Sequence, residues 1–465
     1  MKRPIWRVRD DAITKGANLT LRESLLPLSL VTILFFLWGF AYGLLDVLNK
    51  HFQVTLNVTR AQSSGLQAAY FGAYPVASMT FAQYTMRKAG YKATFMLGLT
   101  LYGIGALLFW PAAIKRSFGG FCGATFVIGS GLGSLETAAN PYLAICGPPK
   151  YSEMRINIAQ SFQAVGTVVG PLLASRVFFK SEDPKSLASV QWVYLGIAVF
   201  VFLLAIVFFF ADIPEITDMD MQEQMNVSVS GEARKVVPLR KQYTLWWAVI
   251  AEGCYCGAQV ALATYFINYA LEIKPGLKSH MAANYLAIAQ GCFAIGRFTG
   301  SGLMKVIKPR IVFMMYYTGV VSCLAVAIAT KNNVGIAFIS LTFFFESICF
   351  PTIFALGLRG LGRNTKRGAS YIIASIIGGA IVPPIVGATA DAFDNTGRAF
   401  FVALIFFLIS GSFAAGVNFH PRTRHVVDDF HESKVGVVDS ETRDLEVVAG
   451  KGGVVDHLED KEGKD

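Results

Sequence analysis

Residues 129–149 read GSGLGSLETAANPYLAICGPP, and this stretch places Glu136 inside an apolar run long enough to cross a bilayer. A carboxylate near the bilayer centre costs roughly 3 kcal/mol on insertion scales, so such a group is normally neutralised, paired or turned towards a water-filled cavity. Nearby glycines allow a second helix to approach closely, and Pro141 leaves one backbone carbonyl without its helical N–H partner. The stretch predicts a membrane-spanning helix with a functional acid. The alternative is a packing helix in which Glu136 is protonated and hydrogen-bonded.

The composition of the whole chain is typical of a polytopic membrane protein. Of its 465 residues, 54% are hydrophobic and only 15% are charged, and the mean hydropathy is +0.48, outside the range of soluble proteins. The net charge is +10, but Lys and Arg lie in short clusters between apolar runs, as topology signals do. We therefore expect a lipid bilayer around the protein and no nucleic-acid partner.

All seven cysteines lie within apolar segments, and Cys254 and Cys256 fall on different faces of one helix. Buried free thiols are therefore expected, without a disulfide framework, a metal site or a resident cofactor. The cysteines are Cys122, Cys146, Cys254, Cys256, Cys292, Cys323 and Cys349.

Windows of about twenty residues with high apolar content predict twelve membrane-spanning helices and an all-α fold. The predicted spans are residues 26–50, 62–85, 94–114, 119–147, 155–179, 190–211, 243–271, 280–304, 310–330, 334–358, 367–393 and 397–418. The longest polar interruption separates six spans from six. We therefore expect a cytoplasmic N-terminal segment at 1–25, a six-helix bundle at 26–211, a cytoplasmic linker at 212–242, a second bundle at 243–418 and a disordered cytoplasmic tail at 419–465.

Three matches between the two halves indicate an internal repeat. Glu136 stands five residues before a proline in the fourth span, and Glu346 stands in the same relation to a proline in the tenth. The fifth and eleventh spans share one Arg–Gly–Pro spacing, in which Gly166 matches Gly378. GFAYG in the first span echoes GCYCG in the seventh. The matches predict a duplicated six-helix unit whose halves are related by an axis along the membrane normal.

The distribution of basic residues predicts the orientation. The N-terminus and the loops from even to odd spans carry more Lys and Arg than the loops on the other side. The positive-inside rule therefore places both termini in the cytoplasm. We expect an integral, multi-pass protein of the plasma membrane that acts as a monomer.

Ionisable groups within the spans are candidates for chemistry. Asp46 in the first span and Glu136 in the fourth lie at different depths, which suits two carboxyls that titrate on opposite sides of one transport cycle. The alternative for Asp46 is an interfacial residue paired with Lys50. The possible accessory groups are Arg297, Glu346 and Glu252. Arg297 could pair with a buried acid or with a substrate hydroxyl.

Side chains that could hold a hydroxyl-rich ligand are also present. Amides and acids bind the hydroxyl edges of sugars, and aromatic rings contact their C–H faces. Gln160 and Gln163 lie one turn apart on the fifth span, as expected for a pair facing one cavity. For any single amide, interhelical packing is the commoner role. The predicted substrate-binding set comprises Trp38, Tyr42, Glu136, Asn140, Gln160, Gln163 and Gln259.

Five segments resemble the L-fucose permease branch of the major facilitator superfamily, whose members are proton-coupled symporters for fucose, glucose or galactose. They are FFLWGFAYGLLDVLNKHFQ at 35–53, GSLETAANPYLAICGP at 133–148, and the segments at 155–166, 282–300 and 351–387. The resemblance implies the major facilitator fold. It also implies that Asp46 and Glu136 are the proton-coupling acids, and that Glu136 and Gln160 contact the sugar.

Several positions depart from the pattern of that branch. A pair of asparagines is replaced by Tyr42 and Gly43, an asparagine by Gln163, a tyrosine by Arg367, and an apolar residue by Glu346. These changes concern ligand contacts rather than the fold, so the resemblance leaves the particular sugar open.

We therefore expect a proton-coupled monosaccharide symporter, with the proton as coupling ion, that works by alternating access between two six-helix bundles. Two alternatives remain open: a sugar receptor that binds without net transport, and proton-driven export of another small solute. Binding without uptake would support the receptor, whereas the polar amides favour a hydroxylated ligand over an exported drug. The spans contain no Gly-Asp motif of an intramembrane aspartyl protease, so no enzyme activity is expected.

Overall fold

The computed structural model describes residues 14, 19, 21–56, 65–178, 187–222, 237–277, 279–330 and 332–432, which are almost entirely helical. The first half contains α1 (Leu21–Thr55), α2 (Gly65–Met79), α3 (Phe81–Ile114), α4 (Phe118–Ile145), α5 (Ser152–Phe178) and α6 (Ala188–Phe210). The second half contains α7 (Tyr243–Ile273), α8 (Ser279–Val306), α9 (Pro309–Ala329), α10 (Asn333–Glu346), α11 (Cys349–Leu358), α12 (Thr365–Ala374), α13 (Gly378–Phe393), α14 (Thr396–Phe419) and α15 (Pro421–Glu432).

The helices follow the twelve predicted spans. The second span continues from α2 into the start of α3, the tenth consists of α10 and α11, and the eleventh consists of α12 and α13. Within the described ranges, nine helical segments are long and apolar enough to cross a membrane. The helices α2, α5 and α8 are not among them. The helix α2 has only 15 residues, and α5 and α8 carry Arg155, Arg297 and several amides. The predicted all-α, twelve-span fold is confirmed.

The boundary between the second and third spans lies at Gly90, whose φ of 85° and ψ of −174° interrupt α3. A side chain here would collide with the carboxylate of Glu215, which follows α6. Glu215 accepts hydrogen bonds from the backbone N–H of Tyr91 at 2.9 and 3.0 Å. Glycine suits this position because it tolerates positive φ, and the carboxylate satisfies an N–H at the start of the third span.

The predicted internal repeat has a structural counterpart at two close helix crossings. Gly39 of α1 lies so near α5 that an added Cβ would be 1.9 Å from the carbonyl oxygen of Gln163. In the second half, an added Cβ on Gly378 would be 1.9 Å from the carbonyl oxygen of Gly253 in α7. Small residues let helix backbones approach in this way. The first span therefore packs on the fifth much as the seventh packs on the eleventh.

A buried arginine holds the turn between α4 and α5. Arg155 donates hydrogen bonds to the carbonyl oxygens of Leu143 and Ala144 at 3.0 and 2.9 Å, and to that of Pro148 at 2.5 Å. Carbonyls at a helix C-terminus lack N–H partners and favour a nearby cation. Arg155 therefore fixes α4 relative to α5. Its counterpart in the repeat, Arg367, is exposed, so this role is not duplicated.

The two halves meet through α5 against α8 and through α2 against α12 and α13. We call the end of the molecule that carries residues 212–242 the linker end. There Arg359, after α11, donates hydrogen bonds to both carboxylate oxygens of Glu153 in the first turn of α5, at 2.6 to 2.8 Å. It also donates to the carbonyl oxygen of Pro149 at 3.0 Å. This buried ion pair joins the halves at the linker end.

The tail predicted to be disordered, residues 419–465, begins instead with the helix α15. Asp428 on this helix accepts hydrogen bonds from Nε and Nη2 of Arg310 at 2.8 and 3.1 Å. The helix packs on α14 and on the Pro149–Tyr151 turn of the first half. Sequence periodicity missed α15 because this short, charged helix is anchored by an ion pair with Arg310, in the first turn of the distant helix α9. Residues 433–465, and residues 223–236 of the predicted linker, lie outside the described ranges.

The docking of α15 is expected to weaken in acid. Partial burial acts to raise the pKa of Asp428, but hydrogen bonds from Arg310 and the charges of Arg310, Lys308 and Arg424 hold it below its ordinary value. A depressed pKa in the folded state stabilises docking above the unfolded pKa, and this contribution is lost as pH falls through the folded pKa. Asp428→Asn should therefore speed hydrogen exchange of α15 amides about two- to fivefold at neutral pH.

Mass spectrometry of hydrogen exchange measures this effect. The exposed Arg422 lies on the same helix, so Arg422→Gln is the matched control and should leave exchange unchanged. Equal exchange in the wild type and Asp428→Asn would show that apolar contacts alone hold α15.

Candidate functional site

A cavity of about 70 Å³ lies between the two halves. Residues of α1, α2, α4 and α5 form one wall, and residues of α7, α8, α10 and α11 form the other. Its polar lining residues are Glu136, Gln160, Gln163, Thr167, Gln259, Gln290, Arg297 and Glu346. A cavity with contributions from both bundles is where a ligand can respond to their relative movement.

Most of the predicted site residues meet at this cavity. Those that line it are Trp38, Tyr42, Glu136, Gln160, Gln163, Gln259, Arg297 and Glu346. Asn140 is fully buried and lies behind the lining, and Glu252 is fully buried elsewhere in the second half. The backbone of Asp46 belongs to α1, but its side chain lies outside the described residues.

Glu136 projects from α4 and is only 3% exposed. Its carboxyl forms a hydrogen bond with the hydroxyl of Tyr74 on α2, while Oε2 has no hydrogen-bond partner among the described residues. Gly129 allows this contact, because a Cβ there would be 2.6 Å from the carbonyl oxygen of Tyr70. A buried oxygen without a partner is costly, so the carboxyl has capacity for a proton or a ligand hydroxyl.

Two aromatic rings on α1 form a flat face of the cavity. The rings of Trp38 and Tyr42 are stacked, with centroids 5.9 Å apart and planes inclined by 9°. The indole Nε1 of Trp38 donates a hydrogen bond to the hydroxyl of Tyr74, so its orientation is fixed by the same tyrosine that contacts Glu136. A rigid aromatic face beside a carboxyl can pack against the C–H face of a ring-shaped ligand.

A pair of amides continues this wall. Gln160 on α5 donates a hydrogen bond from Nε2 to Oδ1 of Asn140 on α4 at 3.2 Å. The Oε1 atom of Gln160 and the Nδ2 atom of Asn140 have no partner among the described residues. Asn140 therefore orients Gln160 from behind, while Gln160 can accept a hydrogen bond from a ligand in the cavity.

Arg297 links the two walls of the cavity. From α8 it donates hydrogen bonds to the carbonyl oxygen of Gln160 at 2.6 Å and to Oε1 of Gln163 at 3.2 Å, both on α5. Its Nε donates to the carbonyl oxygen of Ser347 at 2.8 Å. That carbonyl lacks a helical N–H because Pro351 stands four residues later. Within the described part of the chain, Arg297 thus bonds to carbonyls and an amide rather than forming the expected ion pair.

The second half contributes two acids with different surroundings. Glu346 ends α10 and lines the cavity. Glu252 on α7 is fully buried but does not line it. All four carboxyl oxygens of this pair are buried without a hydrogen-bond partner among the described residues. Gln259, one and a half to two turns beyond Glu252 on α7, is half-buried and faces the cavity.

Several residues of the site were not predicted from the sequence. Tyr74 lies behind the lining, where it accepts a hydrogen bond from Trp38 and interacts with Glu136, and in the sequence it looks like a packing residue in an apolar span. Phe71, Phe293 and Phe343 line the cavity, and nothing in their spacing separates them from core phenylalanines. Gln290 also lines the cavity; it is an amide within a predicted span, the type of residue that the sequence marks as able to bind a hydroxyl-rich ligand.

The described residues that line the cavity offer carboxyl and amide acceptors, one guanidinium and an aromatic face, and among them no nucleophile is paired with a base. Among the described residues, no group of His, Cys, Asp and Glu side chains could hold a metal ion. All seven cysteines are free; four are buried as predicted, whereas Cys122, Cys254 and Cys292 are only half-buried. The arrangement suits reversible binding of a small, hydroxyl-rich solute and the transfer of protons at a buried carboxyl.

Comparison with known proteins extends these observations. The family model described as the Major Facilitator Superfamily matches residues 31–415. The chain is 35% identical over 423 residues to the L-fucose-proton symporter of Escherichia coli K12. This match covers 87% of this chain and 95% of that relative. It is 32% identical over 371 residues to the glucose/galactose transporter of Brucella abortus biovar 1, covering 78% and 88% of the two chains.

A solved structure is similar over most of its length. It is described as a major facilitator superfamily transporter, FucP, in the outward conformation, and it is 35% identical to this chain. The TM-score is 0.71, and the match covers 84% of this chain and 98% of that chain.

Proposed function

The chain belongs to the major facilitator superfamily, and we infer that it is a proton-coupled monosaccharide symporter that works by alternating access. The observation that carries this inference is the cavity between the halves, where a buried acid, Glu136, lies beside Gln160 and the stacked rings of Trp38 and Tyr42. These groups match the hydroxyl edge and the C–H face of a sugar. The relatives named for fucose, glucose and galactose support a hexose or deoxyhexose as substrate.

Asp46 and Glu136 are the proposed proton-coupling acids, and Glu136 also contacts the sugar. When the cavity is open to the acidic side, protonation neutralises the carboxyls and favours loading. When the cavity opens to the other side, Glu136 is hydrated and releases its proton. Sugar and proton then move in the same direction, because the carrier must bind both of them before it can change from one open state to the other.

The moving bodies in this cycle are the proposed bundles at residues 26–211 and 243–418. The Glu153–Arg359 ion pair holds them together at the linker end, so we propose that the ligand enters the cavity from the opposite end. We propose that the linker end is cytoplasmic. The structure then corresponds to the state of the cycle in which the ligand reaches the cavity from outside the cell. The similar structure described as outward supports this assignment.

The proposed setting is the plasma membrane, with both termini in the cytoplasm. The protein acts as a monomer, since each chain contains both walls of its own cavity. The proton is the only coupling partner that the cavity chemistry requires, and the proposed cycle uses no metal or organic cofactor.

Uptake of labelled L-fucose, galactose and glucose into proteoliposomes with an acidic exterior tests the function. One of these sugars should accumulate inside, and a protonophore should abolish the accumulation. Specific binding without uptake would favour a receptor. Accumulation that persists without any pH gradient or membrane potential would exclude proton coupling.

A further inference from the structure

Glu346 is a cavity acid that the proposed mechanism leaves unused. It is fully buried, it lines the cavity, and neither of its carboxyl oxygens has a hydrogen-bond partner among the described residues. Buried polar groups in native proteins are almost always satisfied, and the exceptions need an explanation. At the wall of a ligand cavity, the simplest explanation is that the ligand supplies the missing donors.

Hydrogen bonds hold the backbone around Glu346 in place, and this fixes the position of its side chain at the cavity wall. The helix α10 ends at Glu346, and two residues of turn separate it from α11. The hydroxyl of Tyr255 donates to the carbonyl oxygen of Glu346 at 2.7 Å, and Arg297 donates to that of Ser347. Both neighbours thus bond to the main chain of this turn, and the carboxyl stays free for the cavity.

Arg297 is the charged side chain that interacts with Glu346. The two side chains interact electrostatically, but the hydrogen bonds of the guanidinium go to Ser347, Gln160 and Gln163. None of these bonds reaches the Glu346 carboxyl, so both of its oxygens keep their capacity to accept hydrogen bonds. A carboxylate in this state can accept hydrogen bonds from two adjacent hydroxyls.

The internal repeat gives an independent reason to assign Glu346 to the ligand. Glu136 and Glu346 each stand five residues before a proline in matching spans, and both line the cavity from opposite halves. Glu252 is as deeply buried and as poorly satisfied but is not among the residues that line the cavity. Burial of an unsatisfied acid alone therefore does not distinguish Glu346; its place at the cavity does.

We propose that Glu346 is a substrate-binding and specificity-determining residue whose carboxyl accepts hydrogen bonds from one or two hydroxyls of the bound monosaccharide. The sugar then lies with a C–H face on Trp38 and Tyr42 of the first half and a hydroxyl edge on Glu346 of the second. A ligand held by both halves favours their closure around it. This proposal rests on the function proposed above.

Binding to detergent-solubilised protein tests the assignment separately from transport. Tryptophan fluorescence or calorimetry would give dissociation constants for the preferred sugar and for its monodeoxy analogues, each lacking one hydroxyl. Glu346→Gln and Glu346→Ala should weaken binding of the parent sugar at least about tenfold. The decisive result is a lost preference: at one hydroxyl position, the wild type discriminates against the deoxy analogue and Glu346→Ala does not.

Asp391→Asn removes an exposed acid of α13 that does not line the cavity; it is the control and should leave the dissociation constants and the analogue preferences unchanged. Thermal melting separates binding from folding. Removing an unsatisfied buried acid should leave the melting temperature of Glu346→Gln unchanged or raised, while stabilisation by sugar shrinks.

Three results would overturn the assignment. The first is that Glu346→Ala keeps the wild-type preference at every hydroxyl position. The second is that neither variant folds, which would make Glu346 structural. The third is that the wild type binds no monosaccharide, in which case the proposed function fails with it. If the wild type binds sugar and Glu346→Ala binds it unchanged, only the assignment of Glu346 fails.

Discussion

Replacing Glu136 by glutamine is expected to abolish pH-driven sugar accumulation in proteoliposomes while preserving part of the exchange of internal for external sugar. Glutamine keeps the size of the side chain and can still bond to the hydroxyl of Tyr74, so the cavity should keep its shape. What it cannot do is gain and lose a proton. The carrier would then move between its two faces with sugar but without the proton gradient, and accumulation would fall to the level of equilibration.

The expected size of the effect is large because coupling is lost rather than weakened. The ratio of internal to external sugar should fall to about one, even under a pH difference of one unit, which would sustain about tenfold accumulation by one proton per sugar. Asp46→Asn provides a comparison: if Asp46 takes up the proton from the outside, its variant should lose the pH dependence of uptake. Asp391→Asn is the control, since it removes an exposed acid of the second half that does not line the cavity.

Full accumulation by Glu136→Gln would remove Glu136 from the coupling step and leave it as a sugar contact. Loss of both accumulation and exchange, with sugar binding intact, would instead assign it to the conformational change. A melting curve for each variant separates these outcomes from misfolding.

The sequence predicted the helices well because the bilayer imposes a simple rule. Each span needs about twenty apolar residues, and backbone groups in lipid must bond within the helix. All twelve predicted spans coincide with helices in the structure. The breaks within spans are harder to predict. Pro141 lies inside the continuous α4, whereas the tenth span breaks just before Pro351. A proline permits a break, but the neighbours that replace the lost bond decide where it forms.

The candidate site was predictable for residues whose chemistry is out of place in lipid. Glu136, Gln160, Gln163 and Arg297 are conspicuous in apolar spans, and they all line the cavity. Their partners were not predictable. The link from Arg297 to α5 joins residues that are 137 and 134 positions apart, and only tertiary packing brings them together.

Polar residues in a span are also ambiguous without a structure. Asn140 and Gln160 are both amides within apolar spans, yet only Gln160 of the two lines the cavity. Asn140 lies behind the wall and accepts a hydrogen bond from Gln160. Glu252 and Glu346 are both buried acids in the second half, yet only Glu346 reaches the cavity. Spacing gives the face of a helix, whereas function depends on what that face meets.

Replacing Arg359 by alanine is expected to open the linker end and to lower uptake at least about tenfold. Arg359 forms the ion pair with Glu153 between the first turn of α5 and the end of α11, and both side chains are largely buried. Removing one partner leaves an uncompensated buried charge, which costs about 3–5 kcal/mol. The state with a closed linker end bears that cost, while the opposite state hydrates Glu153. A shift of about 3 kcal/mol changes the ratio of the two states more than a hundredfold.

Cys146 provides a reporter for this shift. Its thiol is fully buried at the end of α4, near the linker end, so labelling by N-ethylmaleimide should rise at least about tenfold in Arg359→Ala, as read by peptide mass spectrometry. Arg363→Gln, at an exposed position of the same loop, is the control and should label like the wild type.

The double variant Glu153→Gln with Arg359→Gln separates the pair from its parts. The ion pair is lost in both variants, but the double variant also removes the charge of Glu153. Because no unpaired buried charge remains, the double variant should open the linker end less than Arg359→Ala does. Unchanged labelling of Cys146 in Arg359→Ala would show that apolar contacts between α5 and α8 alone keep the halves together. Equal labelling in the single and double variants would show that the buried charge of Glu153 is not what drives the opening. The expected order, with the single variant most open, follows from the burial of that carboxylate between two bodies that must separate in each cycle.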